Sequence, residues 1–232
     1  MTNEQESTAP SPQINFKAWN EEMARKYSPG RFHEQSHPVI RWIEKQRVRA
    51  IIDFLAAGDD TCVLEVGCGA GNVLAALPNQ APLLGIDLST RMAAEANQRL
   101  SERKRLIIQA NAEQLPFKQG SISRVICTEV VEHVLHPEAV FAEIARVAAP
   151  EARIVISIPN EKLINALRRI IGGLRFLWRT GGGDEWHLHS FDMQYLQQKA
   201  RTSLEILQIK AVISPLLPLR YVVLCRRKNP LL

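Results

Sequence analysis

Glu129, Glu132 and His133 lie close together in the run Glu129-Val130-Val131-Glu132-His133. Two carboxylates and an imidazole at this spacing suit two kinds of chemistry. On a helix, separations of three and four residues bring side chains to one face. There they would form a donor set for a divalent ion such as Mg²⁺, Mn²⁺ or Zn²⁺. His187 or His189, from Trp186-His187-Leu188-His189, would then complete the ligands after folding. Without a metal, His133 is a general base whose ordinary pKa suits neutral pH. The plain alternative is a turn in which Glu132 and His133 do no more than cap the approach to Pro137.

A second group of residues points to a ligand rather than to a reaction. Val63-Leu64-Glu65-Val66-Gly67-Cys68-Gly69-Ala70-Gly71 reads as a buried strand that ends in an acid and breaks into a glycine turn. Asn72 to Leu77 then starts a helix whose free N–H groups face a ligand. A dinucleotide fingerprint would need a third glycine where Asn72 stands. Glu65 would also repel a pyrophosphate, whereas it suits a cationic ligand such as a sulfonium amino acid. The plain alternative here is a tight strand–helix turn with no ligand. Three more strand ends follow in order: Asp87 closes Leu83 to Asp87 and is placed to accept hydrogen bonds from a ribose diol. Asn111 follows Leu106 to Gln109, and Glu129 closes Val125 to Glu129. Asn111 reads either as a ligand contact or as a turn former.

These residues need elements to hold them. Helical patterns cover Phe16 to Tyr27, Pro38 to Leu55, Ser89 to Ser101, Pro137 to Ala148 and Phe191 to Ala200. In the second of these, Val39, Trp42, Ile43, Val48, Ile51, Ile52 and Leu55 recur at helical spacing. A fifth strand is expected at Arg153 to Ile158, and two more at Leu204 to Ile213 and Leu219 to Arg227. Strands alternating with helices predict an α/β protein, doubly wound around a mostly parallel seven-stranded sheet. In such sheets ligands sit at the carboxyl ends of the strands, where Glu65, Asp87, Asn111 and Glu129 all fall.

With these motifs in this order the chain, from about Trp19 onward, resembles the class I S-adenosylmethionine-dependent methyltransferases. The phrase Gln109 to Phe117 is similar to the C-methyltransferases of ubiquinone and menaquinone synthesis. The Glu129-x-x-Glu132-His133 phrase resembles the ubiquinone-pathway O-methyltransferases. The resemblance implies that the last two strands form an antiparallel hairpin. It also implies that Gly67, Cys68 and Gly69 hold the methionine part of the cofactor, with Glu65 orienting nearby groups. Asp87 would hold the ribose, Leu88 would pack on the adenine, and Asn111, Ala112 and Thr128 would add further contacts. The expected reaction is O-methylation of a small molecule such as a diol, a catechol or a natural-product intermediate. Three alternatives stand beside it. They are C-methylation of a quinone-like or lipophilic acceptor, ribose 2′-O-methylation of RNA, and a catalytically silent cofactor-binding subunit.

Composition narrows the setting. The 232 residues suit one domain over 16–232, behind a disordered tail at 1–15 that is rich in Ser, Thr and Pro. Hydrophobic content of 46% and charged content of 23% are ordinary globular values. Four cysteines without metal or disulfide spacing favour a reducing cytoplasm. Neither a leader nor an apolar run of about 18 residues is evident, so a cytoplasmic protein is expected. The net charge of +5 permits an acidic partner, but the basic clusters lack interleaved aromatics, which argues against nucleic acid. Each cluster, Arg41 to Arg49 among them, reads as a solvated helix or strand end. Residues 163–183 carry an apolar stripe with flanking arginines and glycine hinges. They are expected to form a lid over a lipophilic acceptor, with peripheral contact to an anionic membrane as a variant.

Overall fold

The computed structural model describes residues 15–26, 37–78, 80, 82–170 and 188–228. Helices α1 (Phe16–Lys26) and α2 (Pro38–Leu55) precede the alternating part. That part runs β1 (Val63–Val66), α3 (Asn72–Ala76), β2 (Leu83–Asp87), α4 (Thr90–Arg99), β3 (Arg105–Gln109) and β4 (Ile122–Thr128). It continues through α5 (Pro137–Val147), β5 (Ala148–Pro159), α6 (Glu161–Ile170), α7 (Met193–Ala200), β6 (Leu204–Ser214) and β7 (Leu217–Arg227). The expected tail at 1–14 and the second half of the expected lid, 171–183, lie outside the described residues, as does His187.

The strands form one seven-stranded sheet in the order β3-β2-β1-β4-β5-β7-β6. Every pair from β3 to β5 is parallel, and β7 runs antiparallel to both β5 and β6. The fold class and the terminal hairpin are therefore as expected. β1 is central, and all four of its residues are buried. A strand covered on both faces needs a continuous apolar run rather than alternation, and its single acid, Glu65, marks where the sheet meets the site.

Each face carries its own core. On one side Phe141 and Ile144 of α5, Phe191 and Leu196 pack on the sheet. On the other, Ile43, Ile51 and Leu55 of α2 meet Leu74 of α3 and Leu100 after α4. Val39 and Trp42, which share the helical pattern of α2, are half exposed. Arg47 takes a place on the buried face instead, in line with Ile43 and Ile51 at i±4. The solvated-end reading of the Arg41–Arg49 cluster therefore fails at this residue.

The described half of the expected lid, residues 163–170, lies within α6. Residues 161–170 are regular helix, and Leu163, Ile164 and Leu167 pack against the α2-side core. There Leu163, Ile164 and Leu167, part of the apolar stripe that suggested a membrane face, are half-buried. No described helix is long and apolar enough to cross a membrane.

Candidate active site

A cavity of about 250 Å³ opens at the carboxyl ends of β1, β2, β3 and β4. Its wall includes Glu65, Gly67, Cys68, Gly69, Asp87, Leu88, Asn111, Ala112 and Thr128, so every residue expected to bind the cofactor lines one space. The sheet order reverses at β1, with β2 on one side and β4 on the other. That is where doubly wound sheets open a crevice.

The glycine turn is built by hydrogen bonds that only a left-handed backbone allows. Gly67, Gly69 and Gly71 have φ of 70°, 50° and 76°. The Cys68 N–H donates to the Ile86 carbonyl at 2.8 Å, which ties the turn to β2. The Gly69 N–H donates to Asp87 Oδ2 at 2.8 Å, and the Ser89 N–H donates to Oδ1 at 2.9 Å. Asp87 therefore clamps the turn and also lines the cavity. Burial raises its acid, and the two backbone donors pull the other way. A Cβ on Gly69 would enter open space, whereas one on Gly67 would stand 2.3 Å from Val130 Cγ2. The first glycine keeps the cavity clear, and the second lets β4's exit pass close by.

Glu65 is buried, and its pKa is pushed up to about 8 by that burial, against the opposing pull of Arg47. The Thr128 hydroxyl donates to Glu65 Oε1 at 3.5 Å, while Oε2 has no hydrogen-bond partner. Arg47, a residue not singled out from the sequence, lines the same cavity. Its Nε bonds Glu44 Oε2 at 2.9 Å, and its buried Nη1 has no partner. An orphaned carboxylate oxygen and an orphaned guanidinium nitrogen on one wall fit a zwitterionic amino-acid end, ammonium to Glu65 and carboxylate to Arg47. The i±4 row of Ile43, Arg47 and Ile51 was the available signal.

Asn111 combines both of its readings. Its Oδ1 accepts from the Glu113 N–H at 3.0 Å, forming an Asx turn, and the residue also lines the cavity. Phe16, Asn20 and Ala24, one face of α1, close the space from above, with the Arg91 N–H bonded to Glu21 Oε1 at 3.3 Å. Nothing in the pattern of α1 alone assigns it that covering place.

The acid–base group does not assemble as a helical face would have made it. Residues 129–136 are a turn, with the His133 N–H donating to the Val130 carbonyl at 2.9 Å. Glu129 and His133 line the cavity, with Val130 and Val134 beside them. Glu132 is only 1% exposed and is not part of the wall. Burial pushes its acid up to about 8, and its carbonyl accepts from the Leu188 N–H at 2.8 Å. It thus anchors the chain returning at 188, behind the wall rather than on it. Glu129 is tied to Arg220 and to the Ser157 hydroxyl, which donates at 3.0 Å. His189 Nε2 meets the Val134 carbonyl at 2.9 Å, and Nδ1 meets the Tyr195 hydroxyl at 3.3 Å. With both ring nitrogens engaged and Glu132 turned inward, the expected metal site of Glu129, Glu132, His133 and His189 is not formed. Among the described residues no other cluster of three His, Cys, Asp or Glu side chains could hold a metal ion.

Comparison with known proteins agrees with this geometry. Residues 64–156 match the methyltransferase domain family. A ubiquinone biosynthesis O-methyltransferase of Methylococcus capsulatus is 35% identical over 113 residues, 47% of this chain and 48% of that protein. The enzyme of the same description from Dechloromonas aromatica is 32% identical over 117 residues, 47% of this chain and 49% of its own length. The matched part spans about half the length of these curated relatives. Magnesium protoporphyrin IX methyltransferase of Synechocystis, solved with bound SAH, superposes with a TM-score of 0.65. The match covers 92% of this chain and 100% of that one, at 20% identity, and is a likeness of fold. Strand order and glycine turn agree with the match over residues 64–156, and the chain has the Rossmann-like fold of the solved methyltransferases that it resembles.

Proposed function

We propose that this protein uses S-adenosylmethionine to O-methylate a small molecule, with a diol, a catechol or a natural-product intermediate as the acceptor class. The observation that carries this reading is the pairing of Glu65 and Arg47 in the cavity that also gathers Gly67 to Gly69 and Asp87. Cofactor-end recognition needs opposite charges at an amino-acid terminus and an acceptor for a ribose diol, and this wall supplies both.

When bound, S-adenosylmethionine supplies a methyl group already activated by a positively charged sulfur. The chain has to bind, align and remove one proton. Glu65 and Arg47 would hold the amino-acid end, Asp87 the ribose, and Leu88 with Ala112 the adenine. His133 would take the acceptor's hydroxyl proton, since Glu129 is committed to Arg220 and Glu132 is buried. Val130 and Val134 flank His133 and favour the apolar body of an aromatic acceptor. The cover supplied by α1 would keep water from the cofactor.

Turnover with methyl-labelled S-adenosylmethionine against phenols, catechols, sugars, lipids and RNA checks this reading. Label is expected on a phenolic or diol oxygen, with turnover indifferent to a chelator. His133→Ala should lower the rate by about 10²–10⁴. Label on carbon would replace the reading with C-methylation. Cofactor binding with no transfer to any acceptor would favour the silent subunit.

A further inference from the structure

Glu129 combines three unusual properties on the cavity wall. It is a non-glycine residue at φ 54°, a conformation that side chains other than glycine rarely adopt. Its N–H is fixed to the Ser157 carbonyl at 3.0 Å. Its carboxylate is then bound on one side by the Ser157 hydroxyl and on the other by Arg220. Arg220 comes from β7 and is not itself part of the wall. Its Nε also lies 3.2 Å from Glu44 Oε1, and Glu44 holds Arg47 Nη2 at 2.8 Å. Arg47, Glu44, Arg220 and Glu129 therefore form one chain of alternating charge. Its two ends, Arg47 and Glu129, line the cavity, and its middle lies behind.

Stability alone does not explain such a chain, because well-packed apolar residues often do as well as a buried ion pair. Its position is more telling. β1 and β4 pair with Val66 opposite Cys127, so Thr128 and Glu129 lie level with Gly67 and Cys68. On the cofactor reading above, that is where the methionine end sits, and the reacting sulfur begins positive and ends neutral. A bare carboxylate there would hold the cation better before transfer than after, which raises the barrier rather than lowering it.

Resting on that cofactor reading, we propose that Arg220 is a positioning residue that neutralises Glu129. The wall keeps the hydrogen-bonding shape of a carboxylate without presenting a net negative charge to the sulfonium.

The test compares binding of S-adenosylmethionine, with its cationic sulfur, and S-adenosylhomocysteine, with a neutral one, by calorimetry at one pH. Arg220→Met should raise the preference for the cationic ligand at least about tenfold, the scale of one unscreened charge as far as about 12 Å away at an effective dielectric near 20. Arg220→Met/Glu129→Gln should return the preference to the wild-type value. Glu129→Gln alone leaves the four-residue chain with one positive charge in excess and should lower the preference by a similar factor, which keeps the test open if Arg220→Met does not fold. A purely structural role would change both affinities together. Unchanged preference in every folded variant overturns the inference and leaves the cofactor reading intact. Failure of the wild type to bind either ligand would overturn both.

Discussion

Glu65 couples proton and ligand at the scale of a single residue. Its acid, pushed up to about 8 by burial, is largely protonated at neutral pH in the free protein. A cationic ligand favours the ionised form, so binding should release a proton, and affinity should rise with pH until about 8 and then level off. Calorimetry of S-adenosylmethionine in buffers of different ionisation enthalpy measures that proton directly, and Glu65→Gln should abolish the release. Arg47 makes a complementary prediction. Arg47→Met should weaken S-adenosylmethionine by about 1.5–3 kcal/mol, the range for hydrogen bonds to charged groups. It should leave 5′-methylthioadenosine, which has no amino-acid end, unaffected. The acids were legible in the sequence because each closes a strand, and strand ends are set by local pattern. Arg47 and Arg220 were not, because their roles depend on partners brought together by tertiary packing, with Glu129 lying 91 residues before Arg220. The burial of Glu132 was not legible for the same reason, since a turn, not a helix, decides which way it points.

At the scale of the element, the glycine turn separates two functions that the sequence shows only as one motif. Gly67→Ala would drive a methyl group into Val130 at a backbone φ of 70°, so it should destabilise the fold and lower the melting temperature. Gly69→Ala meets nothing within 4 Å but keeps an unfavourable φ of 50°. Its stability cost should be only about 1–2 kcal/mol, while its methyl group intrudes on the cavity and weakens cofactor binding. Thermal melts beside binding isotherms distinguish the two. The strands were readable from short apolar runs, and the helices from their period. What composition hid was the destination of each amphipathic face. The stripe that begins at Leu163 looks equally suited to a lid, a membrane or a core, and its first half packs half-buried against the α2-side core cluster.

For the whole molecule, the reversal of strand order at β1 brings residues from four strand ends and two N-terminal helices to one cavity. The arrangement has a cost that appears in the pH dependence of stability. Glu65 and Glu132 have acids raised from 4.5 to about 8 in the folded chain. Between those values the unfolded chain has lost protons that the folded chain retains, so stability falls as pH rises from 4.5 towards 8 and changes little beyond. Melting temperature should follow that course, and Glu132→Gln should flatten part of it while leaving cofactor affinity unchanged. The most direct measurement is equilibrium binding of S-adenosylmethionine and of a nicotinamide dinucleotide to the wild-type protein and to Asp87→Ala. One S-adenosylmethionine should bind per chain, more weakly by about 1.5–3 kcal/mol in Asp87→Ala, with no binding of the dinucleotide. Dinucleotide binding, or S-adenosylmethionine affinity unchanged in a folded Asp87→Ala protein, would contradict the assignment of this cavity.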